Sequence, residues 1–466
     1  MSLDKTDASL DKTLARIDAD LPASLERLFA LVRFPSIGAD SAFDKDTRAC
    51  ADHLVKDLAS MGFEAASRPT KGHPVVIGHR RRPGKPHVLF YGHYDVQPVD
   101  PLNLWDAPPF EPKLIELEPG RKVITGRGAQ DDKGQVMTFL EACRAMIAET
   151  GDLPISLTVM IEGEEESGST NLPPFLEAHA EELKADICLV CDTGMWDRNT
   201  PQITSSLRGM LYEELVVRAA DRDLHSGSFG GTAQNPIHIL ARVVAAMHDA
   251  NGRIMVPNFY DGVHETGDNR KAQWEALGLT EAEFLGQIGL KYSAGEKGRT
   301  LIEQMQARPT CDCNGIWGGY TGEGTKTVIA GEARAKISFR LVHDQDPVAI
   351  QKSFREYVSG MIPADCSVEF IGHKGSRAVQ VREDSPELKK ATAALKAEWG
   401  HDPVVLGMGG SIPIVGDFKR VLGLDALLVG YGLDDDRIHS PNEKYDLQSF
   451  HKGQRSWARI IAALGA

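Results

Sequence analysis

The sequence predicts an α/β protein: a larger domain on a mostly parallel central sheet, interrupted by a smaller inserted α+β domain. Three observations predict it. Short apolar runs alternate with amphipathic helical stretches from about residue 43 to residue 192, the pattern of a layered α/β unit. Polar residues of metal-binding type fall just beyond several of those apolar runs, where open sheets of this kind bind ligands. The texture then changes after Ser206 and returns near Pro386.

The elements follow in order. Residues 10–34 and 43–61 carry helical periodicity, and Gly62 sits where a helix stops. Strands are expected around 75–77 and 88–91. A Pro-rich loop containing Trp105 covers 95–112, and a Gly-rich turn, 124–134, leads into a helix over 135–149. Strand 155–161, helix 173–183 and strand 187–191 complete the first pattern. In the insertion, strands are expected over 210–219, 327–341 and 366–371, and helices over 235–247 and 350–361. A polar, Gly-containing stretch, 251–325, has no assigned element. A helix to Gly400, a Gly-rich turn at 407–411 and a strand at 426–429 resume the first domain. The expected boundaries are 1–206 with 377–466, and 207–376.

At 466 residues the chain is too long for one ordinary core. Its 42% hydrophobic and 25% charged residues are those of a globular protein. A net charge of −14 argues against nucleic acid or an anionic membrane as partner. No apolar run approaches the roughly 18–20 residues of a membrane span. The polar, acidic first 24 residues lack a signal-type core, so a cytoplasmic location is expected. Seven scattered cysteines suit a reducing compartment. The pairs Cys188/Cys191 and Cys311/Cys313 lack a second pair at zinc-finger spacing and read as structural.

The chemistry gathers at five places. His93 and Asp95 close the run Val88-Leu89-Phe90-Tyr91, two apart and so on one side of a strand. An imidazole with a nearby carboxylate is a metal ligand and its support. Asp131-Asp132 opens a helix, Glu164-Glu165-Glu166 follows a strand, Asp192 follows another, and His439 lies in a late loop. Singly, these read as a helix cap, a solvated acidic run, a loop carboxylate and a surface histidine. As a set at strand ends they read as a site for two divalent ions, with one carboxylate shared. Three carboxylates and a bridging hydroxide would balance two such cations, and a carboxylate left off the metals could act as general base.

The motifs Gly128-Ala129-Gln130-Asp131-Asp132-Lys133-Gly134, Glu165-Glu166-Ser167-Gly168-Ser169, Leu224-His225-Ser226-Gly227, Ser338-Phe339-Arg340-Leu341-Val342, Gly410-Ser411-Ile412-Pro413 and His439-Ser440-Pro441-Asn442-Glu443 resemble those of the di-metal peptidases and deacylases. That family includes aminoacylase, bacterial glutamate carboxypeptidase, desuccinylase and carnosinase. The resemblance runs from about residue 20 to 460 and is strongest to the cytosolic nonspecific dipeptidase and carnosinase branch. It implies a zinc-peptidase-like catalytic domain with an inserted lid and dimerisation domain. It implies one ion on His93, Asp131 and Asp192, and another on Asp131, Glu166 and His439, the ions being zinc or manganese. Glu165 would be the general base, Asp95 would orient His93, and the Asp131–Asp132 peptide would be cis. His225, Thr327, Arg340, Gly410 and Ser411 would bind substrate, with Arg340 on a terminal carboxylate. The implied partner is a small peptide, and the implied assembly is a homodimer in which His225 reaches the other subunit's site. The expected activity is metal-dependent dipeptide hydrolysis. An N-acyl-amino-acid deacylase or carboxypeptidase would use the same site, and a non-catalytic binding protein would not need the base.

Overall fold

The computed structural model describes every residue except Met1, Ser2, His373, Lys374, Glu383, Gly410 and Ser411. Gly410 and Ser411, singled out above, therefore lie outside the described residues. The chain divides into two compact units, Met1–Ser205 with Val381–Leu406 and Asp417–Ala466, and Ser206–Gln380 with Gly407–Gly416. The Gly-rich turn near 410 thus groups with the second unit.

In the first unit the sheet runs in the order Glu64–Arg68, Val75–Arg80, Ser156–Glu162, His87–His93, Ile187–Val190, Ala426–Leu428, Gln202–Leu207. Ser156–Glu162, His87–His93, Ile187–Val190 and Ala426–Leu428 are mutually parallel. The outer pairings are antiparallel. Val88 to Tyr91 are all buried, which is why this strand reads as a continuous apolar run rather than an alternating one. Phe90 stacks on Phe139 of the helix Lys133–Thr150 at 3.7 Å between centroids, and Trp457 of the helix Leu447–Gly465 meets Phe139 edge-on at 5.3 Å. The helices Leu3–Val32 and Pro386–Trp399 pack onto this pair.

The first helix begins at Leu3, earlier than its periodicity suggests. The helix expected over 173–183 ends at Ala178 and continues only as turns. A hairpin, Lys113–Glu118 with Arg121–Thr125, was not expected. All six residues of its outer strand are exposed, so no buried face imposes an alternation on its sequence.

In the second unit a four-stranded antiparallel sheet runs Thr310–Gly318, Glu332–Leu341, Gly209–Arg218, Ser367–Gly372. Ala333, Ala335, Ile337, Phe339 and Leu341 point to one face with Leu211, Leu215 and Val217. The helices Pro236–Ala245 and Pro347–Ser359 cover that face through Ile239, Leu240, Val243, Ile350, Phe354 and Val358. The stretch left unassigned supplies the edge strand Thr310–Gly318, mostly exposed and shifted in register between Cys313 and Gly315. All seven cysteines are free, and Cys188 and Cys191 are buried as expected of structural thiols. Among the described residues no helix is long and apolar enough to cross a membrane.

Glu182 ties the outer edge of the first sheet together. It accepts from Arg68 and His79 at 3.0 Å each, and from His179 at 3.0 Å. Partial burial alone would raise its carboxyl, but these bonds hold it at about 2. The folded value is depressed, so its contribution is full above the ordinary carboxyl range near 4.5 and fades as pH falls towards 2. Glu182→Gln is expected to cost about 1 kcal/mol near neutral pH. Urea unfolding should show that penalty shrinking between about pH 5 and pH 3; a pH-independent penalty would refute the assignment.

Candidate metal centre

The parallel strands bring their carboxyl ends together. His93 is the last residue of its strand and lies in register with Glu162, the last of the next. Glu164, Glu165 and Glu166 follow Glu162, and Asp192 lies just past Val190. Asp131 arrives from the turn before the helix Lys133–Thr150. That turn needs Gly128, whose φ is +81° and where a Cβ would fall 2.6 Å from Val96 Cγ1. The Asp131–Asp132 peptide is cis. His439 comes from a late loop with φ of +60°.

The ligand atoms form two triangles that share Asp131. Atoms of His93, Asp131 and Asp192 lie within 4.8 Å of one another, as do those of Asp131, Glu166 and His439. His93 Nε2 is 3.1 Å from Asp131 Oδ1 and 4.0 Å from Asp192 Oδ2. His439 Nε2 is 3.0 Å from Asp131 Oδ2 and 3.2 Å from Glu166 Oε2. A tetrahedral ion with bonds of about 2.0–2.1 Å needs donor atoms about 3.3 Å apart, so both triangles are of the right size. The two oxygens of Asp131 face different triangles, the arrangement of a bridging carboxylate. Glu165 belongs to neither triangle.

Charge points the same way. Burial, then the Asp192, Glu166 and Asp95 carboxylates, push Glu165 up to about 9 against the pull of His93. Burial and Asp131 push Asp192 up to about 7, and burial also raises Glu166. Hydrogen bonds to Asp131 and Glu166 push His439 up to about 10. Burial works against charge on Asp131, yet its bonds to His439 and His93 hold it below the ordinary carboxyl range. The protein's own groups thus balance this cluster only by holding protons. Divalent cations are the natural replacement for those protons.

The supporting contacts explain the placement. His93 Nδ1 lies 3.1 Å from the Asp95 carbonyl and 3.4 Å from its carboxylate. The Asp95 carboxylate also accepts from the backbone N–H of Glu165 and of Glu166, at 3.1 Å each, a role not read from the sequence. Gln97 was also missed; its amide donates to Glu166 Oε2 at 2.8 Å. Its only signal is proximity to His93 in sequence. Asp132 is buried and accepts from His93 N at 3.1 Å. Glu164 accepts from Asn171 at 3.0 Å, which gives this third glutamate a structural partner.

The remaining positions lie in the second unit. Leu224–His225 pairs with Val328–Ile329, and Ser226 N–H donates to the Thr327 carbonyl at 3.0 Å, so His225 and Thr327 are neighbours. Both are exposed. Gly227 N–H donates to His225 Nδ1 at 3.0 Å, which leaves the proton of a neutral imidazole on Nε2. Arg340 is half-buried near the end of Glu332–Leu341, opposite Thr310 and Met210.

The profile of peptidase family M20/M25/M40 matches residues 89–463. The chain is 31% identical to the Cys-Gly metallodipeptidase of Candida albicans, over 93% of this chain and 92% of the relative. The crystal structure of human carnosine dipeptidase 1 superposes with a TM-score of 0.83 at 26% identity, covering 98% of both chains. An M20 family metallo-carboxypeptidase from Sulfolobus solfataricus superposes with a TM-score of 0.83 at 30% identity, covering 95% of this chain and 99% of that one.

The shared carboxylate generates an asymmetric expectation. Elemental analysis of loaded, desalted protein should give about two ions per chain. Asp131→Asn should lose most of both, whereas His439→Ala should keep the ion on the His93 side. An Asp131→Asn protein that still carries two ions would contradict the bridging role.

Proposed function

The chain belongs to peptidase family M20/M25/M40 and acts as a metal-dependent dipeptidase; we propose that its metals sit on the two triangles sharing Asp131, with Glu165 as general base. The observation that carries this reading is Glu165 itself. It lies on the same backbone turn as the ligand Glu166, pinned by the same Asp95 carboxylate, yet stands outside both triangles. His93, Asp131 and Asp192 would hold one ion, and Asp131, Glu166 and His439 the other. Bound there, two divalent cations supply Lewis-acid polarisation of the scissile carbonyl and acidify water. Histidine with carboxylate suits zinc or manganese.

The chain's own groups divide the remaining work. The Glu165 carboxylate takes a proton from the attacking water and returns it to the leaving amine. His225 Nε2–H donates to the oxyanion that develops on the attacked carbonyl, a contribution of about 10²–10³ in rate. Arg340 pairs its planar fork with the peptide's terminal carboxylate. Thr327, Gly410 and Ser411 complete the substrate contacts. The segment 207–376 serves as lid and dimerisation domain, and the protein works as a cytoplasmic homodimer with small peptides as its partners.

A second reading is a carboxypeptidase of the same chemistry, favoured by the similarity to the Sulfolobus metallo-carboxypeptidase. A panel on zinc- and manganese-loaded protein separates them: Xaa-Xaa dipeptides, Cys-Gly and carnosine, longer peptides, and N-acetyl amino acids. Dipeptides are expected to turn over fastest. Preference for longer peptides or N-acyl amino acids would replace the substrate assignment while keeping the metal chemistry.

Glu165→Gln should retain both ions and the fold while losing about 10²–10⁴ in turnover. Glu164→Gln should keep most activity, because its observed partner is Asn171. The reverse outcome would move the base by one residue. Mixing Glu165→Gln with His225→Ala tests catalysis across the dimer. With free exchange half the dimers are hybrids with one intact site, so about a quarter of wild-type activity should return from the two-fold geometry. No recovery despite measured exchange would remove His225 from the partner's site.

A further inference from the structure

Glu443 ends the late loop that carries His439, and its side chain is fully buried. Its carboxylate is saturated by four donors, all from one turn. Oε2 accepts from Arg127 Nη1 at 2.7 Å and from Gly128 N–H at 2.9 Å. Oε1 accepts from Gln130 N–H at 3.0 Å and from Asp131 N–H at 3.1 Å. The Glu443 carbonyl also accepts from Gly126 N–H at 3.1 Å, and Lys444 pairs with Thr125 in the strand that follows. One side chain therefore grips the whole turn that delivers Asp131. The same loop delivers His439, whose ring reaches Asp131 Oδ2 at 3.0 Å.

We propose that Glu443 is a positioning residue for the di-metal centre, locking the Asp131 turn to the His439 loop so that both triangles are assembled before any ion arrives. The inference rests on Asp131 being the shared ligand. Burying a carboxylate requires that its oxygens be fully paired, and here three of the four donors are backbone N–H groups of the turn that carries Asp131, the fourth being the Arg127 guanidinium. Such outer contacts set ligand orientation and metal affinity. No neutral isostere can replace the carboxylate. All four partners are donors, so a glutamine amide NH₂ would face donors whichever way it turned.

The test is metal affinity, read by competition with a chromogenic chelator on folded, metal-free protein. Glu443→Gln is expected to bind zinc or manganese about 10–100-fold more weakly than wild type. A core variant given no part in the site, Leu395→Ala in the helix Pro386–Trp399, chosen for comparable loss of thermal stability, should bind as wild type does. Glu443→Gln affinity within about threefold of wild type would overturn the proposal while leaving the di-metal reading intact. Wild type that binds no ions would overturn that reading instead. Should Glu443→Gln fail to fold, amide exchange on the native metal-free protein decides. Gly128, Gln130 and Asp131 amides should already exchange slowly. Protection that appears only on adding metal would show that the ions, and not Glu443, hold the turn.

Discussion

The structure depends on the enforced proximity of carboxylates around Asp131. Asp131 lies between two imidazoles at 3.1 and 3.0 Å, and Glu165, Glu166 and Asp192 crowd the same space at the ends of parallel strands. Like charges at such separations repel strongly once water is excluded. Protons or cations must therefore complete the site. The raised carboxyls of Glu165 and Asp192 and the raised imidazole of His439 express that demand. Such a cluster favours divalent cations over protons, because the fold has already brought the charges together.

The scaffold places these groups partly through backbone hydrogen bonds to two acidic side chains. Asp95 holds the two glutamates by their N–H groups, and Glu443 holds the Asp131 turn in the same manner. In both cases an acidic side chain that binds no metal in the proposed centre fixes the backbone of residues that do. The aromatic stack of Phe90, Phe139 and Trp457 then anchors the His93 strand to the helix that Asp131 opens. The candidate ligands thus hang on elements packed against one another, the kind of support a two-ion geometry would need.

The metal-type residues of the first unit were legible because strand ends and helix starts announce themselves locally. His93 and Asp192 close apolar runs, Asp131 precedes a helix, and the paired Glu165 and Glu166 follow a fully buried strand. The register across the three glutamates and the role of His439 came from motif resemblance, since a histidine in a loop carries no periodic signal. Gln97 and Glu443 escaped assignment because their significance lies in contacts made after folding. Glu443 is more than 300 residues from the N–H groups it accepts. The hairpin Lys113–Glu118 with Arg121–Thr125 and the edge strand Thr310–Gly318 were missed for the opposite reason. Lys113–Glu118 buries no residue and Thr310–Gly318 buries only Cys311, so little in their composition imposes a period of two.

Anomalous diffraction from crystals of the manganese-loaded protein tests the central claim most directly. The account predicts two peaks about 3.5–4 Å apart, one beside His93 and Asp192, the other beside Glu166 and His439, with the Asp131 carboxylate between them and Glu165 bonded to neither. A single peak, or two peaks not bridged by Asp131, would contradict it.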